Sequence, residues 1–381
     1  MKPSSTRQLS RAQFLRAFGL SSLAALMPTG ALNYSGIDVP AVSAQDDPIE
    51  KLFAESFVID GVVVPDRSSS DSSIPTRPGE IKQLVGINMG GTDVTGVDLA
   101  SAVNLMNRWD NFIQRFGNAL IKIKTASDID TAQTTGRYGV IHYAQDPQRE
   151  FSSQLKGSVQ LLAQWKSAGL RILQIAYSNG NDLGGGDYPE TNDQPLTPLG
   201  KQVIQELNRL RMVIDLSHTG KRTTLDVVEL TSQLVTANHT SAERVNICSC
   251  PERAFSGRPH PRSKSDEELK AIAKTGGVIG VTIIGRFIER APMPRSIDDF
   301  VAHVDYIVQL VGIDHVGFSS DASLDGSIKY PQLDYVDQYL NSPQRWKHVV
   351  RRLSEKGYKR EDLQKLMGLN FKRVYQQVLD P

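Results

Sequence analysis

Eight short runs of aliphatic and β-branched residues recur along this chain, and none alternates cleanly between apolar and polar positions. They occupy residues 57–60, 85–89, 138–142, 172–177, 212–217, 234–238, 277–284 and 315–319. A strand that is apolar on successive residues is buried on both faces, as in a parallel sheet covered by helices. Helix-length segments fall between the runs. Thr197-Pro198 sets a capping residue before a proline and opens a helix over 199–211. Ser265-Asp266-Glu267-Glu268 is a capping box opening a helix that runs to Lys274. Residues 298–311 and 360–378 carry apolar side chains at helical spacing. Eight strands with intervening helices predict an α/β chain folded as one (β/α)8 TIM-type barrel over residues 45–381, with a doubly wound open sheet as the alternative. No G-x-G-x-x-G follows the first run, so a dinucleotide-binding fold has no support.

The first 44 residues read as an export signal rather than as part of the barrel. Lys2, Arg7, Arg11 and Arg16 precede an apolar stretch from Phe18 to Met27, and Val42-Ser43-Ala44 is a small-residue cleavage site. Ser10-Arg11-Ala12-Gln13-Phe14-Leu15-Arg16 resembles a twin-arginine signal in which Ala12 replaces the second arginine. The expectation is a periplasmic or otherwise exported protein, sent by a twin-arginine-like or general secretory route. An uncleaved amphipathic helix is the alternative. No later run reaches the 18 or so apolar residues of a spanning helix, so no transmembrane segment is expected after the signal. Without the signal, 39 basic and 41 acidic residues remain. That balance offers no basic field for a polyanion, which argues against nucleic-acid binding. Cys248 and Cys250 are separated by one residue, too close for an unstrained bridge, and are expected as free thiols.

In a (β/α)8 barrel the reactive side chains stand at the C-terminal strand ends. Those ends carry Asp60, Gln145, Tyr177, His218, His239 and Asp321. Two imidazoles and a carboxylate at one mouth have the composition of a metal site for zinc and similar ions. Singly, each would pass for a hydrogen-bonded structural residue; their joint placement is the signal. His303 and His348 fall within helices, His315 at the opposite end of its strand, and His260 in a proline-rich loop beside Arg262. There is no G-x-S-x-G, H-E-x-x-H or P-loop.

The strings Met212-Val213-Ile214-Asp215-Leu216-Ser217-His218 and Asn238-His239-Thr240-Ser241-Ala242-Glu243-Arg244 resemble the membrane (renal) dipeptidase family, peptidase family M19. So do Gly276-Gly277-Val278-Ile279-Gly280-Val281 and the segment from Val311 to Asp321, in matching order and spacing. The resemblance implies a metallo-dependent-hydrolase-like barrel that holds two zinc ions and hydrolyses dipeptides, with family members often pairing as homodimers. By the same resemblance His218 and His239 would hold one zinc, and Asp321 would ligate the other and handle protons. Arg262 would grip a substrate carboxylate, a task suited to its planar charged fork. The chain departs from the family at the first strand. The family's D-G-H-x-D reads Asp60-Gly61-Val62-Val63-Val64 here, so valines replace both metal ligands. Gln145 stands where the family has a metal-bridging glutamate; a shifted register would instead put His142 at that strand end. Tyr177 replaces a further active-site histidine.

Three functions fit these residues. One is an exported hydrolase of a small dipeptide or amide, with one zinc at His218/His239, Gln145 as a further oxygen donor, Asp321 as general base and Tyr177 as oxyanion donor. Another is metal-free acid–base chemistry in the maturation of a peptide-derived metabolite. The third is a catalytically inactive barrel that binds a peptide-like ligand.

Overall fold

A computed structural model describes residues 47–63, 79, 82–83, 86–94, 99–145, 158–188, 193–247, 258–290, 295–322 and 336–381. Residues 1–44, expected to be an export signal, and Val64, Cys248 and Cys250 lie outside the described residues.

The strands are β1 (Ile59–Val63), β2 (Met89–Asp93), β3 (Leu120–Lys122), β4 (Tyr138–Ala144), β5 (Leu170–Gln174), β6 (Val213–Asp215), β7 (Val235–Ala242), β8 (Ser263–Lys264), β9 (Val278–Thr282) and β10 (Val316–Ser319). Eight follow one another in the order β1-β2-β4-β5-β6-β7-β9-β10, all parallel. The short β3 and β8 pair with β4 and β7 off this path. A parallel bridge between Val63 and Ala322 links the two ends. At this seam the Asp321 amide donates to Val62 O at 2.9 Å, and the Ser320 amide donates to Asp60 Oδ1 at 2.8 Å. The sheet therefore closes into the expected (β/α)8 barrel, and the doubly wound alternative is set aside.

Each of the eight predicted runs contributes a barrel strand. The second one is displaced: residues 85–89 were expected, and β2 spans Met89–Asp93. Its interior is Met-Gly-Gly-Thr, which carries little hydrophobic signal. The glycines are there for clearance, because a Cβ on Gly91 would stand 2.4 Å from Gly61 O.

The predicted helix starts hold. Thr197 Oγ1 accepts from the Gly200 amide at 3.0 Å and opens the helix Pro198–Arg209. Ser265 and Glu268 form the reciprocal box of the helix Asp266–Lys274. The predicted 360–378 helix is broken by a π turn, Lys365–Leu369, between the helices Arg360–Gln364 and Asn370–Val378. There Gly368 passes against the backbone before β1, where a Cβ would lie 2.2 Å from Phe57 O.

One apolar layer fills the space between strands and outer helices, with Val140, Leu173, Ile214, Ile279 and Phe318 among its members. A second lies inside the barrel and includes Val62, Met89, Ile141, Tyr143 and Val213. The helix Asn370–Val378 adds Phe371, Val374 and Tyr375 to this inner layer. Phe371 reaches inward where three strands present glycine: Cβ atoms on Gly61, Gly280 or Gly317 would come within 3.0 Å of its ring. Burying this ring favours folding by about 2–3 kcal/mol, and it plugs the end of the barrel opposite the strand C-termini.

Candidate functional site at the barrel mouth

His218 follows β6 on a turn in which Thr219 Oγ1 donates to Leu216 O at 2.8 Å. His239 lies within β7, where the register with β9 shifts between Ala237 and Thr240. Such an irregularity re-aims a side chain, and here the His239 ring turns toward its neighbour. The two Nε2 atoms stand 3.0 Å apart. On the far side of the His218 ring, Ser178 Oγ lies 2.8 Å from Nδ1. Tyr177 stacks on the same ring, with centroids 3.9 Å apart and planes 18° from parallel. His239 Nδ1 is buried with no hydrogen-bond partner among the described residues.

Both imidazoles are held well below the usual histidine pKa, first by burial and then by the positive charge of Arg262. They are neutral bases at physiological pH. Arg262 is itself 1% exposed. Its Nη1 donates to Ser217 O at 2.5 Å and its Nη2 to His239 O at 2.7 Å. Asp187 faces the guanidinium at 3.4 Å. The fork expected to grip a substrate carboxylate is thus engaged with the backbones that carry both histidines. Burial raises the Asp187 carboxyl to about 6, against the pull of Arg262. A second buried pair, Lys264–Glu268 at 3.0 Å, lies behind the first, and Lys264 Nζ also donates to Thr219 O at 2.5 Å.

The remaining predicted site residues sit on other strand ends. Gln145 follows β4 and is buried; its carbonyl accepts from Gln174 Nε2. Asp321 follows β10 in a left-handed backbone conformation, φ 49°, one that aspartate tolerates better than most residues. Asp60 is a seam residue: besides Ser320, it accepts from Trp346 Nε1 at 3.2 Å, and burial raises its carboxyl to about 6. Val62 is fully buried inside the barrel. His142 does not join the mouth. It alternates with the inward Tyr143, lies beside Gly169 in the outer layer, and is pushed down to about 3 by burial and by Lys122 and Arg171. His303 is structural, with Nδ1 accepting from the Ala242 amide at 3.1 Å and Nε2 donating to Ile288 O at 3.2 Å.

Sequence reasoning missed Ser178 and Asp187. Both lie on the segment after β5, and a signal for it was present: Gly184-Gly185-Gly186 immediately precedes Asp187. These glycines allow backbone to pack on backbone, since a Cβ on Gly186 would stand 2.2 Å from both Ser178 O and Tyr177 O. A bridge from Gly186 to Thr219 then brings Asp187 against the His218 turn.

Two nitrogens bound to one tetrahedral zinc, each about 2.0–2.1 Å from it, stand about 3.3 Å apart. The spacing and neutral charge of His218 and His239 therefore fit one divalent ion. The donor set does not fit a two-ion centre. Val62 is a buried apolar side chain, Gln145 offers a neutral amide, and among the described residues no group of three His, Cys, Asp or Glu converges.

Solved structures share this fold. An amidohydrolase from Pseudomonas aeruginosa superposes with a TM-score of 0.71 at 24% identity, covering 87% of this chain and 99% of that one. A metallo peptidase from Rhodobacter sphaeroides, liganded with a phosphinate mimic of the dipeptide L-Ala-D-Ala, gives a TM-score of 0.67 at 18% identity, covering 85% and 100%. In sequence, the dipeptidase tcpJ of Claviceps purpurea is 27% identical over 261 residues, 64% of this chain and 56% of that protein. An uncharacterized dipeptidase of Schizosaccharomyces pombe is 30% identical over 227 residues, 58% of this chain and 50% of that protein. The chain spans about half the length of the curated relatives it matches. A family model for the membrane dipeptidases matches residues 83–380, and the chain belongs to that family, peptidase family M19.

Proposed function

We propose that this chain is a dipeptidase-like hydrolase of a small dipeptide or amide, with a single zinc ion held by His218 and His239. The observation that carries this reading is the convergence of two neutral imidazole nitrogens at 3.0 Å. Gln145 would add a neutral oxygen donor from the end of β4. A zinc ion bound there supplies Lewis acidity and lowers the pKa of water. Ser178 fixes the His218 ring by holding its Nδ1. Tyr177, stacked on that ring, donates its phenol hydrogen to the substrate carbonyl oxygen as charge develops. Asp321 takes a proton at its carboxylate and returns it to the leaving amine. Arg262 acts by positioning both histidine-bearing backbones.

A barrel that binds a peptide-like ligand without turnover is the second reading, favoured by the fully buried Val62 in place of a ligand. One experiment separates the two. Protein purified without chelators is analysed for metal and assayed on L-Ala-D-Ala and related dipeptides with added Zn²⁺, Co²⁺ or Mn²⁺. The hydrolase reading expects close to one zinc per chain and metal-dependent cleavage. Absence of metal, together with no gain of activity on supplementation, overturns it. We also propose export, supported by the basic and apolar pattern of residues 1–44; cell fractionation with the native N-terminus tests it.

A further inference from the structure

Beneath the mouth, Asp215 at the end of β6 is fully buried, and every hydrogen-bond partner of its carboxyl is uncharged. Oδ1 receives the Asn238 amide at 2.6 Å and Ser217 Oγ at 2.9 Å. Ser217 Oγ in turn accepts from the His239 amide at 3.0 Å, so its own hydrogen is the one given to Asp215. On the other side, Oδ2 lies 2.5 Å from the Tyr143 hydroxyl. That hydroxyl is also 2.8 Å from Gln174 Oε1.

A proton count decides between the two contacts. The Gln174 amide cannot be reversed, because its nitrogen faces Gln145 O and Ala176 O, and both are acceptors only. Oε1 must therefore accept, and the single phenol hydrogen goes to it. A phenol oxygen and an ionised Oδ2 at 2.5 Å would then face each other with no hydrogen between them. A hydrogen on Oδ2 resolves the conflict. Burial acts in the same direction, raising the affinity of this carboxyl for its proton.

We propose that Asp215 is a positioning residue held as a neutral carboxylic acid, whose proton completes a hydrogen-bonded chain across four adjacent strands. The chain runs from Asp215 O–H to Tyr143 on β4, from Tyr143 to Gln174 on β5, and from Gln174 to the carbonyls of Gln145 and Ala176. The opposite oxygen holds Asn238 directly and His239 through Ser217, on β7. One side chain thus sets the backbone beneath Gln145, Tyr177 and His239. This holds with or without a bound ion, and it does not depend on the proposed reaction.

The test compares wild type with Asp215→Asn, whose amide keeps one donor and one acceptor in the same places. Asp215→Asn is expected to keep the wild-type melting temperature and the ring-nitrogen NMR resonances of His239. The infrared difference spectrum between the two should show loss of a protonated carboxylic acid carbonyl band, unchanged between pH 6 and 8. Loss of a carboxylate band instead overturns the proposal, as does a shift of the His239 signals in Asp215→Asn. Tyr143→Phe serves as a second variant. It should move the acid carbonyl band, because the acid loses its acceptor; an unmoved band also overturns the proposal.

Discussion

Ser178 Oγ lies 2.8 Å from Nδ1 of His218, on the side of the ring away from His239. The contact spans 40 residues of chain, and it exists because the Gly184–Gly186 run folds the segment after β5 back onto the turn after β6. A ligand imidazole whose second nitrogen is held presents its first in a fixed direction, which is how two strand ends come to offer one bite.

Ser178→Ala should therefore weaken zinc binding about 10–100-fold while leaving the stoichiometry near one. Competition against a chelator of known affinity measures it. Unchanged affinity would mean that Tyr177 stacking alone orients the ring.

Arg262 and Asp187 form a buried pair, so removing one partner should cost far more than removing both. Arg262→Met is expected to destabilise the fold by about 3–5 kcal/mol, because it strands a buried carboxylate. Arg262→Met with Asp187→Leu should recover a large part of that loss. Urea unfolding of the two singles and the double closes the cycle; additive losses would count against the pair.

His303 titrates near 3 in the folded chain because it is buried, against about 6.5 when unfolded. Between these values the unfolded chain binds the proton and the folded chain does not, so stability falls as pH drops below about 6.5. At pH 5 this single group lowers stability by about 2 kcal/mol relative to neutral pH. His303→Gln should lose correspondingly less stability than wild type between pH 7.5 and 5. Asp60 and Asp187, whose pKa values are raised, contribute with the opposite sign, and they cancel in the comparison.

Two inward glycines should respond differently to a change at Phe371. The three atoms nearest a Cβ on Gly317 all belong to the Phe371 ring, the first at 2.6 Å, whereas one on Gly280 meets Asn238 O at 2.0 Å. Phe371→Leu should therefore rescue Gly317→Ala and leave Gly280→Ala destabilised. Phe371→Ala alone should cost about 3–5 kcal/mol. Thermal melts of the single and double variants check this, and equal rescue of both would contradict it.

Periodicity by itself determined eight buried strands with intervening helices, and the seam between Val63 and Ala322 decided that the sheet closes into a barrel. Parallel strands buried on both faces write continuous apolar runs, and helix starts write local caps such as Thr197-Pro198 and Ser265–Glu268. β2 slipped because clearance, not burial, chose its glycines. Strand-end logic picked His218 and His239, because a barrel aims those positions at one mouth whatever the loops do. The sequence also showed an apolar Val62 and a neutral Gln145 at strand ends, since side-chain chemistry is visible without coordinates. The partners of the site needed the tertiary structure. Ser178 on His218, Asp187 on Arg262 and Asp215 beneath Tyr143 are contacts between segments distant in sequence. No local period encodes which carbonyls a buried guanidinium will find. Arg262 shows the difference most clearly: its fork suits a substrate carboxylate on chemistry alone, and only the packing of β6 against β7 commits it to Ser217 and His239.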